Sequence, residues 1–87
     1  MRFNVLWQPA AEDELADLWN NAPDRADVAR AADTADDLMS RNPHALGESR
    51  AGAKRIVFLG PLAIDFEVRD ADHTVLVLRV RRPRRPR

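Results

Sequence analysis

The sequence predicts an α+β fold with the element order β-α-α-β-β-β, in which an αα-hairpin packs on one face of an antiparallel sheet. Apolar residues recur at helical spacing over about residues 9–41 and at a period of two on either side of this region. The last three apolar segments are joined by connections too short for crossovers, so neighbouring strands must run antiparallel. The 87 residues suit a single domain, predicted over 1–82, with a basic and flexible C-terminal tail at 83–87.

The first half of the chain is predicted to form one strand and the two helices. Alternating apolar residues indicate a strand over residues 2–7, and a proline followed by acids starts a helix over about 9–21. Pro23 breaks the chain before a second apolar stripe, and Pro43 stops the second helix near residue 41. Each helix has one apolar face, so the pair is predicted to cover one side of the sheet.

The second half is predicted to form three strands. Lys54 begins the first of them, and residues 62–69 alternate strictly between apolar and other side chains. A two-residue turn at Gly60-Pro61 pairs Leu59 with Leu62, which places the apolar side chains of residues 62–69 against the helices. The last strand is predicted over 74–81, with its leucines also facing the helices.

This register predicts a partly apolar outer face on the side of the sheet away from the helices. An exposed apolar patch usually marks an interaction site. The alternative is a solvated face decorated by cross-strand ion pairs such as Asp65 with Arg79. The residues predicted on this face are Ile56, Phe58, Val75 and Val77, mixed with Asp65, Glu67, Arg79 and Arg81.

Charge and composition exclude several classes of protein. The net charge is zero, which argues against a general nucleic-acid binder, but residues 1–47 hold nine acids against four bases and residues 48–87 hold five against ten. The chain has no cysteine for a disulfide or thiolate metal site. Its longest nearly uncharged run, 56–64, is too short for a membrane helix, and its first residues do not resemble a secretory signal. We therefore expect a cytoplasmic protein with no metal or cofactor.

Four segments, in this order and spacing, resemble the RelE/ParE superfamily of toxins of type II toxin–antitoxin systems: VLWQPAAEDELADLW at 5–19, NPHALGESR at 42–50, RIVFLGPLAIDFEV at 55–68 and VLVLRVRR at 75–82. The resemblance implies a cognate antitoxin that wraps and neutralises the toxin in a hetero-oligomer. RelE-like members cleave messenger RNA on the ribosome, whereas ParE-like members poison DNA gyrase without known catalytic residues. A toxin that blocks translation through messenger RNA is predicted first. The alternatives are a ParE-like gyrase inhibitor and a degenerate, non-catalytic binding module.

The resemblance also implies site residues. RelE-like nucleases carry cations on the central strands and often a tyrosine or histidine near the C-terminus. Here the matching candidates for phosphate-binding cations in a catalytic site are Lys54, Arg55, Arg79 and Arg81. Ile56, Phe58, Val75, Val77 and Arg82 are candidate partner-binding residues. The chain has no tyrosine and no histidine after His73, so the proton-transfer set is incomplete and nuclease activity stays an open question.

The remaining notable residues receive ordinary structural interpretations. His44 and His73 are predicted as loop and turn residues and not as a metal site. Trp7 and Trp19 are predicted to lie in the core. The terminal RRPRRPR leaves three roles open: a phosphate-binding arm, a contact for an acidic antitoxin segment, or a solubilising end.

Overall fold

The computed structural model describes residues 2–83. The predicted α+β architecture is confirmed, with two helices on one face of a sheet. Apart from Pro83, the predicted tail lies outside the described residues. The elements in chain order are β1 (Asn4–Trp7), α1 (Pro9–Asn21), α2 (Arg25–Arg41), a 3₁₀ turn (Pro43–Ala45), β2 (Glu48–Ser49), β3 (Lys54–Leu59), β4 (Leu62–Arg69) and β5 (Thr74–Arg81).

The sheet has five strands in the order β1-β5-β4-β3-β2. The β3–β4 and β4–β5 pairs are antiparallel, as predicted. β2 is also antiparallel to β3, but β1 runs parallel to β5. The two helices lie between β1 and the rest of the sheet in sequence, which gives the chain the length that a parallel return requires. The two-residue strand β2 was not predicted, since Glu48 and Ser49 lie in a polar loop with no alternating pattern.

The β3–β4 turn fixes the register that the sequence predicted. Gly60 has a φ of 53°, and the ring of Pro61 restricts the next φ to negative values. This combination is typical of a type II′ turn, which joins the strands of a two-residue hairpin. Leu59 therefore pairs with Leu62, and Val57 pairs with Ile64.

The core lies between β3–β5 and the helices. Phe66 at its centre is fully buried, and so is Met39 of α2. Burying a side chain of this size stabilises the fold by about 1.5–3 kcal/mol. The α2 residues that face the sheet are mostly small, which lets the helix approach closely: Val28, Ala31, Ala32 and Ala35.

The predicted facing of β5 was wrong. Val75 and Val77 are fully buried in the core and do not lie on the outer face. Val77 pairs with Phe66 but Arg79 pairs with Asp65, so the intervening Leu78 is the extra residue of a β-bulge. Val80 comes three residues after Val77, so strict alternation would place it on the outer side. The bulge brings it back to the core side, where it pairs with Ile64. The leucines predicted to face the helices instead fall on the outer side, where Leu76 pairs with the outer residue Glu67.

Candidate functional site

The outer face is the side of the sheet away from the helices, and its apolar side chains are Leu6, Ile56, Phe58, Ala63, Leu76 and Leu78. Phe58 is 54% exposed and Leu6 is 46% exposed. Ile56 and Ala63 are nearly inaccessible and lie outside the core cluster. The exposed apolar surface is therefore centred on Phe58 and the leucines, and the predicted valines contribute nothing to it.

The arginines at the C-terminal end of β5 are all paired with acids. Arg81 donates from Nη1 to Asp65 Oδ2 at 2.7 Å. Arg79 donates from Nε to Glu14 Oε2 at 2.8 Å, and the other oxygen of Glu14 accepts the backbone N–H of Val80 at 2.9 Å. Asp65 and Arg79 are cross-strand neighbours, as predicted, but their side chains choose other partners.

Arg82 forms a two-nitrogen contact with Asp24, the residue before α2. This contact ties the end of β5 to the start of the helix. The guanidinium donates hydrogen bonds to the carboxylate and attracts its charge, which holds the pKa of Asp24 below its ordinary value. Within residues 2–83, Arg79, Arg81 and Arg82 are thus each neutralised by an acid of the same chain.

Arg55 was predicted to bind phosphate, but its guanidinium donates hydrogen bonds to backbone carbonyls of the same chain. Its Nε donates to the carbonyl of Leu46 at 2.9 Å and its Nη2 to that of Gly47 at 3.2 Å. Gly47 has a φ of 68°, and a Cβ there would lie 2.1 Å from the carbonyl oxygen of Ile56. Arg55 and Gly47 together hold the 42–49 loop tightly against β3.

Lys54 and Arg50 are the exposed cations beside this loop. The backbone N–H of Arg50 donates to the carbonyl of Lys54 at 2.8 Å, so the two residues flank the same tight turn. Within residues 2–83, neither has a carboxylate at ion-pair distance. Lys54 pairs in register with Glu67, which accepts from Arg69 Nε at 2.8 Å. Arg50 was missed as a site residue, since a lone arginine in a polar loop carries no spacing signal.

The two histidines meet around Phe3, although they are far apart in sequence. The ring of His73 stacks on Phe3 with centroids 4.0 Å apart, and His44 meets the same ring edge-on at 5.9 Å. His44 Nε2 also lies 2.6 Å from Asp70 Oδ1. Phe3 packs against the core, so both histidines are held away from the outer face. No group of three potential metal-ligating side chains occurs within the described part of the chain.

A second surface, the α1–α2 groove, lies between the two helices. It has a volume of about 520 Å³. Trp19 was predicted to be buried but is 43% exposed, while Trp7 is partly buried and donates from Nε1 to Asp36 Oδ1 at 3.1 Å. The facing residues of α2 are too small to fill the space. The groove is lined by Trp7, Glu12, Leu15, Ala16, Trp19, Asn20, Val28, Ala29, Ala32, Asp33 and Asp36.

Within the described residues, no helix is long and apolar enough to cross a membrane. At the level of sequence, neither a protein-family model nor a curated protein matches the chain.

Comparison with solved structures identifies the fold. A chain of the RelBE2 toxin–antitoxin complex from Mycobacterium tuberculosis superposes with a TM-score of 0.75 at 24% identity, covering 95% of this chain and 100% of that one. A chain of the chromosomal ParDE system from P. aeruginosa gives 0.72 at 16% identity, with coverages of 94% and 97%. The isolated E. coli RelE toxin gives 0.64 at 15% identity, with coverages of 97% and 87%. The predicted RelE/ParE-like fold is therefore confirmed.

Proposed function

We propose that this chain is the toxin of a type II toxin–antitoxin system, acting in the cytoplasm and neutralised by a cognate antitoxin in a hetero-oligomer. The observation that carries the proposal is the superposition over 95% of the chain on a component of a toxin–antitoxin complex. The order of the four sequence segments resembling RelE/ParE toxins supports it independently.

The outer face is the surface that we assign to the antitoxin and to the target. Phe58 and Leu6 expose about half of their side chains there, on a rigid sheet and without cover from the helices. Exposed apolar groups mixed with charged ones are typical of protein interfaces. An antitoxin that buried these side chains would neutralise the toxin by excluding the target from the same face.

The geometry favours inhibition by binding over cleavage of RNA. Cleavage through the 2′-hydroxyl needs a base, an acid and cations aimed at phosphate. The chain has no tyrosine, both histidines contact Phe3 away from the outer face, and the arginines of β5 are engaged with carboxylates. A non-enzymatic, ParE-like inhibitor of DNA gyrase is the function that this arrangement supports best.

Action on messenger RNA at the ribosome is the second candidate, and one observation favours it. Lys54 and Arg50 have no acid partner among residues 2–83, and Lys54 lies opposite Glu67. Two such cations can bind phosphate, and the Glu67 carboxylate can accept a proton. In that case Lys54, Arg50 and Glu67 would replace the usual C-terminal tyrosine or histidine.

Induction of the chain alone in bacteria tests the proposal and separates the two targets. We expect growth arrest, with incorporation of labelled thymidine falling before that of labelled methionine if gyrase is the target. An early loss of methionine incorporation together with cut messages would select the RNA-directed candidate. Unimpaired growth, with the folded chain present in the cells, would contradict a toxin function.

A pair of variants makes the distinction at the level of residues. Lys54→Ala combined with Arg50→Ala should abolish toxicity if RNA is bound, and should leave it nearly unchanged if gyrase is bound through the apolar face. Arg30→Ala combined with Arg41→Ala is a matched control, because it removes the same charge and both arginines are exposed on α2, away from the outer face. Thermal unfolding of each purified variant verifies that the fold is retained.

A further inference from the structure

The α1–α2 groove combines an apolar floor with an acidic rim. Leu15, Ala29 and the two tryptophans supply the apolar surface between the helices. Glu12 of α1 and Asp33 and Asp36 of α2 line the same groove and are exposed. This surface lies on the helices and is separate from the outer face of the sheet.

The rim acids are not neutralised by the described part of the chain. Within residues 2–83, none of Glu12, Asp33 and Asp36 has a cation at ion-pair distance. Elsewhere on α2, Asp27 pairs with Arg30 at 2.8 Å and Asp37 pairs with Arg41 at 3.1 Å. The same helix therefore pairs its acids away from the groove and leaves the groove acids unmatched.

We propose that this groove binds a cationic amphipathic helix of a protein partner, with an apolar stripe on the floor and lysines or arginines against the rim. Charge complementarity selects the cationic flanks. The walls of the groove are two helices that satisfy their own backbone hydrogen bonds, so a partner cannot bind by adding a strand, and we assign a helix packed along them. The inference does not depend on the proposed toxin function.

The tryptophans provide a direct readout of occupancy. The chain has two tryptophans and no tyrosine, and both tryptophans line the groove. Their intrinsic fluorescence therefore reports on this surface, and Trp19, which is 43% exposed, is the more accessible of the two indoles. Docking of an apolar stripe on Trp19 should remove water from its indole and shift the emission to shorter wavelength.

The probe is a designed helical peptide of about 14 residues, about 21 Å long, without aromatic residues. This length matches the 13 residues of α1. Leucines at positions i, i+3, i+4 and i+7 form its apolar stripe, and lysines flank the stripe. A second peptide has the same leucines and glutamates in place of the lysines. Titration of each peptide into the full chain should give a blue shift and saturable binding with the lysine peptide only.

Variants of the rim test the charge argument. Glu12→Gln, Asp33→Asn and Asp36→Asn together should weaken binding of the lysine peptide about tenfold, the sum expected for three rim ion pairs. The side-chain amide introduced by Asp36→Asn still offers an oxygen acceptor to the indole of Trp7. Asp13→Asn, Asp17→Asn and Asp72→Asn remove the same charge outside the groove lining and should leave the affinity within about twofold.

Each of the following results would overturn the proposal. Equal binding of the two peptides, or equal weakening by rim and control variants, would remove the specific role of the acids. A lack of any tryptophan shift on binding would place the peptide elsewhere. Self-association of the chain in sedimentation, abolished by Ala29→Arg in the groove, would assign the surface to a second copy instead.

Discussion

The outer face of the sheet and the α1–α2 groove differ in how their charged side chains are paired. On the outer face of the sheet, Arg81 is paired with Asp65, and nearby Arg79 is paired with Glu14, so these arginines are neutralised and Lys54, at the start of β3, is the exception. In the α1–α2 groove, the acids line an apolar floor without cationic partners among residues 2–83. The outer face is therefore suited to a partner that contributes apolar area, and the groove to one that contributes cations as well.

This difference shows what a count of charges can and cannot reveal. The basic excess of residues 48–87 predicts a basic field around the last strand. In the structure, acids from the first half of the chain, Glu14 and Asp24, cancel part of that field through contacts of long sequence separation. The unmatched charge lies instead at the groove and at Lys54 and Arg50.

The largest effect is expected from a pair of substitutions that test which side chains of β5 face the core. Val77→Asn should destabilise the protein by about 3 kcal/mol or more, because an amide replaces a fully buried side chain. Leu76→Asn should cost less than about 1 kcal/mol, since Leu76 lies on the outer side. Urea unfolding measures both, and the reverse order would return the valines to the outer face.

The next effect concerns the loop that borders the outer face. Gly47→Ala should cost at least about 2 kcal/mol, because it combines a left-handed φ with a backbone clash against Ile56. Gly52 is a matched control, since it has a φ of 58° but no atom within 4 Å of the position that a Cβ would occupy. Gly52→Ala should therefore lose only about 1 kcal/mol, from the unfavourable backbone conformation alone. Equal losses in urea unfolding would mean that the loop does not lie tightly against β3.

β4 and β5 show which features of the sheet could be predicted from the sequence. β4 was predictable because large apolar residues alternate with alanine and charged residues, which leaves a single way to face the core. β5 was not, because valines and leucines alternate with each other and give no polarity to distinguish the faces. A one-residue bulge at Leu78 also interrupts the alternation, so the facing predicted for the residues before Val80 is opposite to the observed one.

The candidate site was less predictable than the fold. The basic residues on the strands could be named from the sequence, but their acid partners come from distant segments. The groove was missed because Trp19 falls on the apolar stripe of α1, which predicts burial. Only the packing of α1 against the small side chains of α2 shows that the indole is left 43% exposed.

A smaller effect is expected for the ion pairs of the outer face. In a double-mutant cycle with alanine, Asp65 and Arg81 should show a coupling energy of about 0.2–1 kcal/mol, typical of a partly exposed pair. Asp65 and Arg79, opposite each other in register but bonded elsewhere, should show a coupling near zero. A larger coupling for the second pair would restore the cross-strand pairing that the sequence suggested.

The smallest effect is expected in the pH dependence of the Arg82–Asp24 contact. Because Arg82 lowers the folded-state pKa of Asp24, the contact stabilises the fold above the unfolded pKa of about 3.9. This contribution is lost as the pH falls through the lowered folded value. Arg82→Gln should therefore reduce the Tm slightly at about pH 7 and by less at an acidic pH below about 3.9, as thermal unfolding would show. An equal reduction at both pH values would assign the effect to packing.

The proposed function depends on the outer face as the surface through which the chain acts. Viable counts after induction of three chains test this: the natural sequence, a Phe58→Ser and Leu6→Ser variant of the outer face, and an Ala29→Ser variant of the groove. We expect the natural chain and the groove variant to stop growth, and the outer-face variant to lose most of its toxicity while remaining folded. Equal toxicity of all three chains would contradict the account.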